Sequence, residues 1–136
     1  MSDQDSQAVA ELARQLGYDG DPAAVAQRLQ ALRASSEHAV WVAELADQVQ
    51  GWVHVFRAMR MESDAFAEIG GLVVAQQLRG SGLGRLLVQA CADWARVQGL
   101  ARLRVRTNTQ RQATHQFYQH LGFAALKSQQ VFTLIL

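Results

Sequence analysis

Residues 79–85 read Arg-Gly-Ser-Gly-Leu-Gly-Arg, a composition suited to binding an anion. An apolar, β-branched run that ends at Val74 precedes them, and apolar residues spaced three or four apart from Leu86 to Val97 follow. This pattern predicts a strand, a glycine-rich turn and a helix. The first N–H groups of a helix lack intrahelical acceptors and carry the positive end of its dipole, and glycines let an anion approach the backbone. The stretch therefore predicts a phosphate site, with an ordinary turn at the start of a helix as the alternative.

Two common nucleotide-binding patterns do not fit this turn. A Walker A loop requires Lys and then Ser or Thr after its last glycine, whereas Gly84 is followed by Arg85 and Leu86. A Rossmann fingerprint requires a third glycine where Arg85 stands, and an acidic residue at the end of the next strand. The candidate strand, residues 100–107, contains no acidic residue. A phosphate bound at this turn would therefore belong to a ligand of another class.

The spacing Arg79-x-x-Gly82-x-Gly84 resembles the Gln/Arg-x-x-Gly-x-Gly/Ala signature of the GNAT N-acetyltransferase superfamily. In that family the signature loop holds the pyrophosphate of acetyl-CoA. A second stretch continues the resemblance at the family's usual distance, with Asn108, Ala113 and the motif Phe117-Tyr118-x-x-Leu121-Gly122-Phe123. The resemblance covers residues 39–136 well and the N-terminal third more loosely. Each motif alone is moderately specific, but their order and spacing together make the resemblance strong.

This resemblance implies a mixed α/β fold with a mostly antiparallel central sheet flanked by helices, in a single N-acetyltransferase domain over residues 1–136. The family normally places a strand before its first helix. Here only residues 1–6 precede that helix, and they are too polar and too few for a buried strand. We therefore expect the first strand to be missing or vestigial. A second copy of the chain, in a homodimer, is one candidate to cover the sheet edge that remains.

The hydrophobic pattern predicts the individual elements. Apolar residues on one helical face indicate two helices before the sheet, the second capped by Asp21 with Pro22 at its first position. Alternating apolar residues indicate strands, and the adjacent Gly70 and Gly71 indicate a bulge. The predicted elements are helices over 9–16, 22–34, 86–97 and 113–121, hairpins over 40–56 and 123–136, a polar loop over 57–64, and strands over 65–74 and 100–107.

The family resemblance also implies where acetyl-CoA, the co-substrate, would bind. The strand backbone from Leu72 to Val74 would hold the pantetheine arm and supply an N–H donor to the thioester carbonyl, while the glycine-rich turn would hold the pyrophosphate. The full set of cofactor-binding residues implied in this way is Leu72, Val73, Val74, Arg79, Gly80, Ser81, Gly82, Leu83, Gly84, Arg85, Asn108, Ala113 and Phe117.

Acetyl transfer to an amine requires the amine to lose a proton and the leaving thiolate to gain one. The resemblance assigns the acid role to Tyr118, because the tyrosine of this motif lies near the sulfur in the family. Helical spacing predicts that Phe117 faces the core and that Tyr118 points about 100° away, toward the cleft. Packing in the core is the alternative role for Tyr118. Glu68 is the first candidate base, Glu44 acting through water is the second, and a water chain without a single base is the third.

A further candidate is His54, which shares one strand face with Trp52 and Phe56. Its imidazole would line the pocket for the acceptor amine. The alternative is a histidine that simply satisfies its hydrogen bonds within the sheet.

Composition narrows the classes of partner. The chain has 136 residues, 49% apolar and 18% charged, with a net charge of +1 from twelve arginines, one lysine and twelve acidic residues. It has neither the basic excess of a nucleic-acid binder nor an apolar run that would span a membrane. No metal site is predicted, because His115 and His120 do not share a helical face. Cys91 is expected to be a buried thiol, and the acidic, polar N-terminus, without a visible signal peptide, indicates a cytoplasmic protein.

The leading functional hypothesis is an acetyl-CoA-dependent N-acetyltransferase. It would transfer an acetyl group to a primary amine of a small molecule or peptide, by direct attack in a ternary complex. The alternative, from another class, is a non-catalytic acyl-CoA-binding sensor or structural homodimer that keeps the same fold.

Overall fold

The computed structural model describes residues 2–15 and 20–136, and the chain forms two compact units, Met1–Val105 and Arg106–Leu136. The first unit is a sheet covered by helices, with short 3₁₀ turns at Asp3–Asp5 and Gln76–Leu78. Its helices and strands in chain order are α1 (Ser6–Gln15), α2 (Pro22–Arg33), β1 (His38–Leu45), β2 (Gln48–Arg60), β3 (Ser63–Val74), α3 (Leu83–Val97) and β4 (Leu103–Val105). The second unit contains α4 (Gln112–His120).

The described sheet has four strands in the order β1-β2-β3-β4. The first three pair antiparallel, and β4 pairs parallel with β3. This arrangement confirms the predicted mixed α/β fold with a mostly antiparallel sheet. It also confirms that no strand precedes the first helix in the described residues, because residues Asp3–Asp5 form a 3₁₀ turn and β1 lies at the edge of the sheet.

The first three strands, β1, β2 and β3, are all longer than predicted. Ala46 and Asp47 both have positive φ, 53° and 63°, which matches the right-handed twist of a two-residue hairpin turn. The predicted polar loop over 57–64 is wrong, because β2 continues to Arg60 and β3 begins at Ser63. Buried and exposed residues continue to alternate through this region, with Ala58 and Phe66 buried. Its polar residues are therefore the exposed, alternate positions of two strands.

The helix α3 packs on one face of this sheet. It contributes four buried side chains, Leu87, Val88, Cys91 and Ala95, and contacts all four strands. Gly51 on β2 permits the close approach, because a Cβ there would lie 3.2 Å from Cδ1 of Leu87. Cys91 is fully buried, as predicted, and burial raises the pKa of its thiol to about 12. None of the described helices is long and apolar enough to cross a membrane.

The helices α1 and α2 lie at the other face. Leu12 of α1 packs against Val73 and Ala75 at the end of β3, and Trp52 joins this cluster. Helix α2 begins as the sequence predicted, with the Asp21 carboxylate accepting a hydrogen bond from the Ala23 N–H at 3.2 Å. The predicted end of the first helix at residues 16–17 lies outside the described residues.

The second unit departs from the sequence expectation after α4. The predicted hairpin over 123–136 is wrong, since the described residues there form no strand. Its large apolar side chains are exposed instead, among them Phe132 at 88% and Ile135 at 86%. An apolar alternation forms a strand only where another strand supplies backbone partners, and this segment has none in the described chain.

Candidate active site

The glycine-rich turn joins the end of β3 to the start of α3, as predicted. Gly80 and Gly82 have φ of +82° and +94°, a backbone conformation that residues other than glycine rarely adopt. Apart from the glycine itself and its two chain neighbours, no described residue lies within 4 Å of where a Cβ would stand at either position. The turn is therefore open toward solvent, and its shape depends on glycine because of backbone conformation rather than crowding.

The start of α3 leaves hydrogen-bond donors available in this turn. Its first backbone bond runs from the Leu86 N–H to the Gly82 carbonyl. Among the described residues, the N–H groups of Gly84 and Arg85 find no acceptor, and the Leu83 N–H reaches only the Ser81 hydroxyl at 3.5 Å. A group with several negatively charged oxygens would satisfy such donors at the positive end of the helix dipole.

Two arginines add positive charge to the same turn. Arg79 and Arg85 are exposed, and neither forms an ion pair with a described residue. Their guanidinium groups are therefore available to a phosphate ligand, which they can bind through paired N–H donors. The charge, the open backbone donors and the glycine conformations together fit the pyrophosphate of an acyl-CoA.

The strand that leads into the turn has an open edge. β3 pairs with β4 only from Ala67 to Ile69, opposite Leu103 to Val105. Beyond Ile69 the residues of β3, including Leu72 to Val74, pair with β2 alone in the described sheet. Backbone N–H and C=O groups on that side of β3 thus have no strand partner, and an extended ligand such as a pantetheine arm could occupy their place.

A bulge lies at the beginning of this open edge, as predicted. Residue His54 on β2 pairs with Gly71, whereas Val55 pairs with Ile69, so Gly70 is the extra residue. A Cβ at Gly70 would lie 2.8 Å from Nδ1 of His54, and one at Gly71 would lie 2.9 Å from the ring of Trp52. The two glycines therefore leave room for two aromatic rings from β2 that lie across the strand.

His54 is part of a group of three aromatic rings that contact one another. Its Nε2 lies 2.9 Å from Nδ1 of His38 on β1, and the ring centroids are 5.2 Å apart. Phe56 contacts both imidazoles, with centroids 5.6 Å from His54 and 5.7 Å from His38. Burial, and secondly the charge of His38, lower the pKa of His54 to about 4. His54 is therefore neutral near pH 7.

The sequence pattern indicates His54 as a candidate but gives no such indication for His38. The predicted strand began at residue 40, two residues too late to include it. The signal was present in the hairpin register, because a turn at residues 46–47 brings His38 opposite Phe56 and next to His54.

The two candidate carboxylates lie in different surroundings. Glu68 is half-buried on β3 and pairs with Phe56, so its side chain shares the face of the sheet with the imidazoles. Glu44 is exposed beside the turn between β1 and β2, opposite Val49. Position thus favours Glu68 over Glu44 as a group that acts near the bulge.

In the second unit, Asn108 organises the start of α4. Its side-chain oxygen accepts a hydrogen bond from the Gln110 N–H at 2.9 Å, and its carbonyl accepts one from the Arg111 N–H. The same carbonyl lies 2.8 Å from Nε2 of His115. Ala113 is exposed on the first turn of the helix. Asn108 therefore has a structural role in turning the chain into α4, whatever its role toward a ligand.

Tyr118 differs from its predicted orientation. It is 7% exposed, whereas Phe117 is only half-buried, so the buried member of the pair is Tyr118. Its ring packs edge-to-face against Phe117 and Phe123, with centroids 5.0 Å and 5.3 Å apart. The Phe123 N–H donates to the Tyr118 carbonyl at 3.1 Å. This bond folds the chain back after Gly122 and places the Phe123 ring against the ring of Tyr118. The prediction that Phe117 faces the core and Tyr118 faces away is wrong.

The fold resembles solved acetyltransferase structures. The aminoglycoside N-acetyltransferase AAC(6')-Iy, solved with a bisubstrate analogue of CoA, superposes with a TM-score of 0.87 at 16% identity, covering 100% of this chain and 95% of that one. Glucosamine-6-phosphate N-acetyltransferase from Arabidopsis thaliana gives 0.84 at 18% identity, covering 99% and 95%. A protein described as a transcriptional regulator from Bacillus halodurans gives 0.86 at 19%, covering 98% and 96%.

Comparison with curated proteins gave no sequence match. The model of the acetyltransferase (GNAT) family matches residues 6–123. This match includes the glycine-rich turn, β3 and the motif in α4, and it spans most of the sequence. The chain is therefore a member of the GNAT acetyltransferase family.

Proposed function

We propose that this chain is an acetyl-CoA-dependent N-acetyltransferase, in one domain over residues 1–136, acting on a primary amine of a small molecule or peptide. The observation that carries the proposal is the continuity of the open edge of β3 with the glycine-rich turn. Within the described part of the chain, one end offers strand backbone with no strand partner, and the other offers helix N–H groups between two arginines that form no ion pair. An acyl-CoA has the matching shape, an amide-containing arm that ends in a pyrophosphate.

The residues of the chain have distinct parts in this proposal. The turn from Arg79 to Arg85 binds the pyrophosphate, and the β3 backbone from Leu72 to Val74 aligns the arm and donates to the thioester carbonyl as it becomes an oxyanion. The amine attacks that carbonyl directly in a ternary complex. Glu68 is the first candidate to take the amine's proton, and Tyr118 is the candidate to protonate the leaving thiolate. The cytoplasm is the proposed compartment.

Turnover with a panel of amines tests this function. Release of free CoA is measured with acetyl-CoA and an aminoglycoside, glucosamine 6-phosphate, a polyamine and a short peptide with a free amino terminus. We expect at least one amine to accelerate CoA release above the rate with water, and the acetylated product to appear by mass spectrometry. Tight binding of acetyl-CoA without turnover by any amine would contradict catalysis and support the alternative.

That alternative is a non-catalytic acyl-CoA-binding sensor or structural homodimer. The observation that favours it is the burial of the Tyr118 ring between Phe117 and Phe123, which gives the residue a packing role without any chemistry. One structurally similar protein is also described as a transcriptional regulator. The two functions share the acyl-CoA site and differ only in turnover.

A homodimer is a further part of the proposal. The segment 123–136 exposes a row of large apolar side chains, which monomeric soluble proteins rarely leave in water. They are Leu126, Val131, Phe132, Leu134, Ile135 and Leu136. β1 is also an open edge in the described sheet. Burying this segment against a second copy would remove apolar surface from water and add strand partners.

We predict from this that light scattering gives twice the mass of one chain. Phe132→Asp combined with Ile135→Asp should shift the protein to a monomer, because each change places a carboxylate in the buried contact. Gln129→Asp, in the polar part of the same segment, is the matched control and should leave the dimer intact. A parent protein that stays monomeric at high concentration would contradict the homodimer.

A further inference from the structure

The His38–His54 pair lies at the point where β3 becomes open. His54 pairs with Gly71 and its Nδ1 edge faces Gly70, the extra residue of the bulge. The open edge of β3 begins immediately after Ile69. A thioester carbonyl bound to this backbone would therefore lie beside the imidazole, and the glycines leave no side chain between them.

The hydrogen bond within the pair is compatible with two tautomers, and one of them leaves Nδ1 of His54 able to accept a proton. Only one proton can lie between Nε2 of His54 and Nδ1 of His38, which are 2.9 Å apart. When it belongs to His54, the Nδ1 of His54 carries a lone pair that faces Gly70. His38 is then the tautomer protonated on Nε2 and accepts through Nδ1. Phe56 stacks on His38 and packs at a tilt against His54, so it contacts both rings of the pair.

We propose that His54, oriented by His38, takes the proton from the acceptor amine during acetyl transfer. This inference rests on the proposed function and assigns the base within that site to His54 in place of Glu68. As the amine nitrogen bonds to the thioester carbon and the carbon–sulfur bond breaks, the amine proton moves to Nδ1 of His54. The thiolate takes its proton from a separate acid, and the imidazolium of His54 returns its proton to water after the products leave.

The charged groups around the pair bear on this role. From β3, Glu68 shares the face through its pairing with Phe56, and from β4, Arg104 is in register with Glu68. From α2, Arg33 lines a small cavity together with His38. The low pKa of His54, about 4, keeps the imidazole neutral through the physiological range. An imidazole with so low a pKa is a weak base, so it takes the proton only as the amine nitrogen becomes positively charged on attacking the carbonyl. Its conjugate acid would be strong and would release the proton readily.

The tautomer provides a test that is independent of activity. Proton–nitrogen correlation spectra of the intact protein at pH 7 should show His54 protonated on Nε2 and unprotonated on Nδ1. His38 should likewise be protonated on Nε2, and its Nδ1, which accepts the hydrogen bond, should carry no proton. His38→Phe, which removes the acceptor but keeps an aromatic ring, should let the His54 tautomers mix. The opposite tautomer of His54 in the parent protein would overturn the proposal.

Kinetics test the role itself once an amine substrate is known. His54→Gln keeps an amide near the Nε2 position but removes the base, and kcat should fall by about 10²-fold or more, as for other general bases, with acetyl-CoA affinity unchanged. His38→Phe should give a smaller loss and a shift of the acidic limb of the pH–kcat profile. Glu68→Gln is the comparison. If it slows turnover while His54→Gln does not, the base is Glu68 and the inference is wrong, although the acetyltransferase function stands.

Discussion

Replacing Gly82 with aspartate should abolish acetyl-CoA binding. Gly82 immediately precedes α3, where the Gly84 and Arg85 N–H groups find no acceptor among the described residues. A carboxylate at this position would supply an acceptor for those groups and repel the pyrophosphate, so two favourable terms for the ligand are lost together. The fold should survive, because no described residue other than Gly82 and its chain neighbours lies within 4 Å of the added Cβ. Calorimetric titration with acetyl-CoA is the measurement.

Two controls separate charge from backbone strain in this experiment. Gly82 has φ of +94°, so any side chain there costs about 1 kcal/mol in the left-handed region. Gly82→Asn carries the same strain without the charge and should retain part of the affinity. Gly99→Asp places the same residue at a similarly strained and open position, φ +76°, after the other end of α3. It should lose stability and keep the affinity. Parent-like binding by Gly82→Asp would assign the turn to another ligand.

The sequence was informative wherever local chemistry determines structure. The glycine-rich turn, the cap by Asp21 and the bulge at Gly70 each depend on residues within a few positions, and all three lie where predicted. The lack of a strand before α1 in the described residues also followed from local polarity. These features have short-range causes, so one sequence suffices to find them.

The sequence was misleading where a residue's neighbours lie far along the chain. Residues 57–64 look like a loop because Arg57, Arg60, Glu62 and Asp64 are charged, yet buried Phe66 supports a strand pair there. Guanidinium groups explain part of the difference, since Arg104 lies 4.3 Å from the centroid of the Phe66 ring and Arg60 lies 5.5 Å from it. Such contacts stabilise arginine on a strand but leave no local signature.

The segment 123–136 is misleading in the opposite sense. Its apolar residues have the composition of strands, but a strand requires a partner, and the described chain supplies none. Likewise, His54 could be recognised as a candidate, but its partner His38 depends on the exact register across the β1–β2 turn. Strand pairing depends on tertiary structure, so a single sequence predicts the propensity of a segment to form a strand better than it predicts the partner of that strand.

Replacing Tyr118 with phenylalanine should lower kcat by at least about ten-fold, since general acid catalysis is typically worth about 10²–10⁴-fold. A phenol is protonated at neutral pH and can donate to a departing thiolate. The substitution retains the ring that packs between Phe117 and Phe123 and removes only the hydroxyl group. Acetyl-CoA affinity should therefore stay nearly constant. Single-turnover kinetics are the measurement, because they isolate the chemical step from product release.

The burial of Tyr118 makes a control for packing necessary. Phe123→Leu removes one of the two ring contacts but retains the hydroxyl, so it should lower the thermal midpoint with a much smaller effect on the chemical step. Tyr118→Phe should show the converse pattern, a large loss of rate with a modest change in stability. If Tyr118→Phe leaves the single-turnover rate unchanged, the phenol is not the acid. The residue then serves only to join α4 to the turn at Gly122, and the thiolate must take its proton from water.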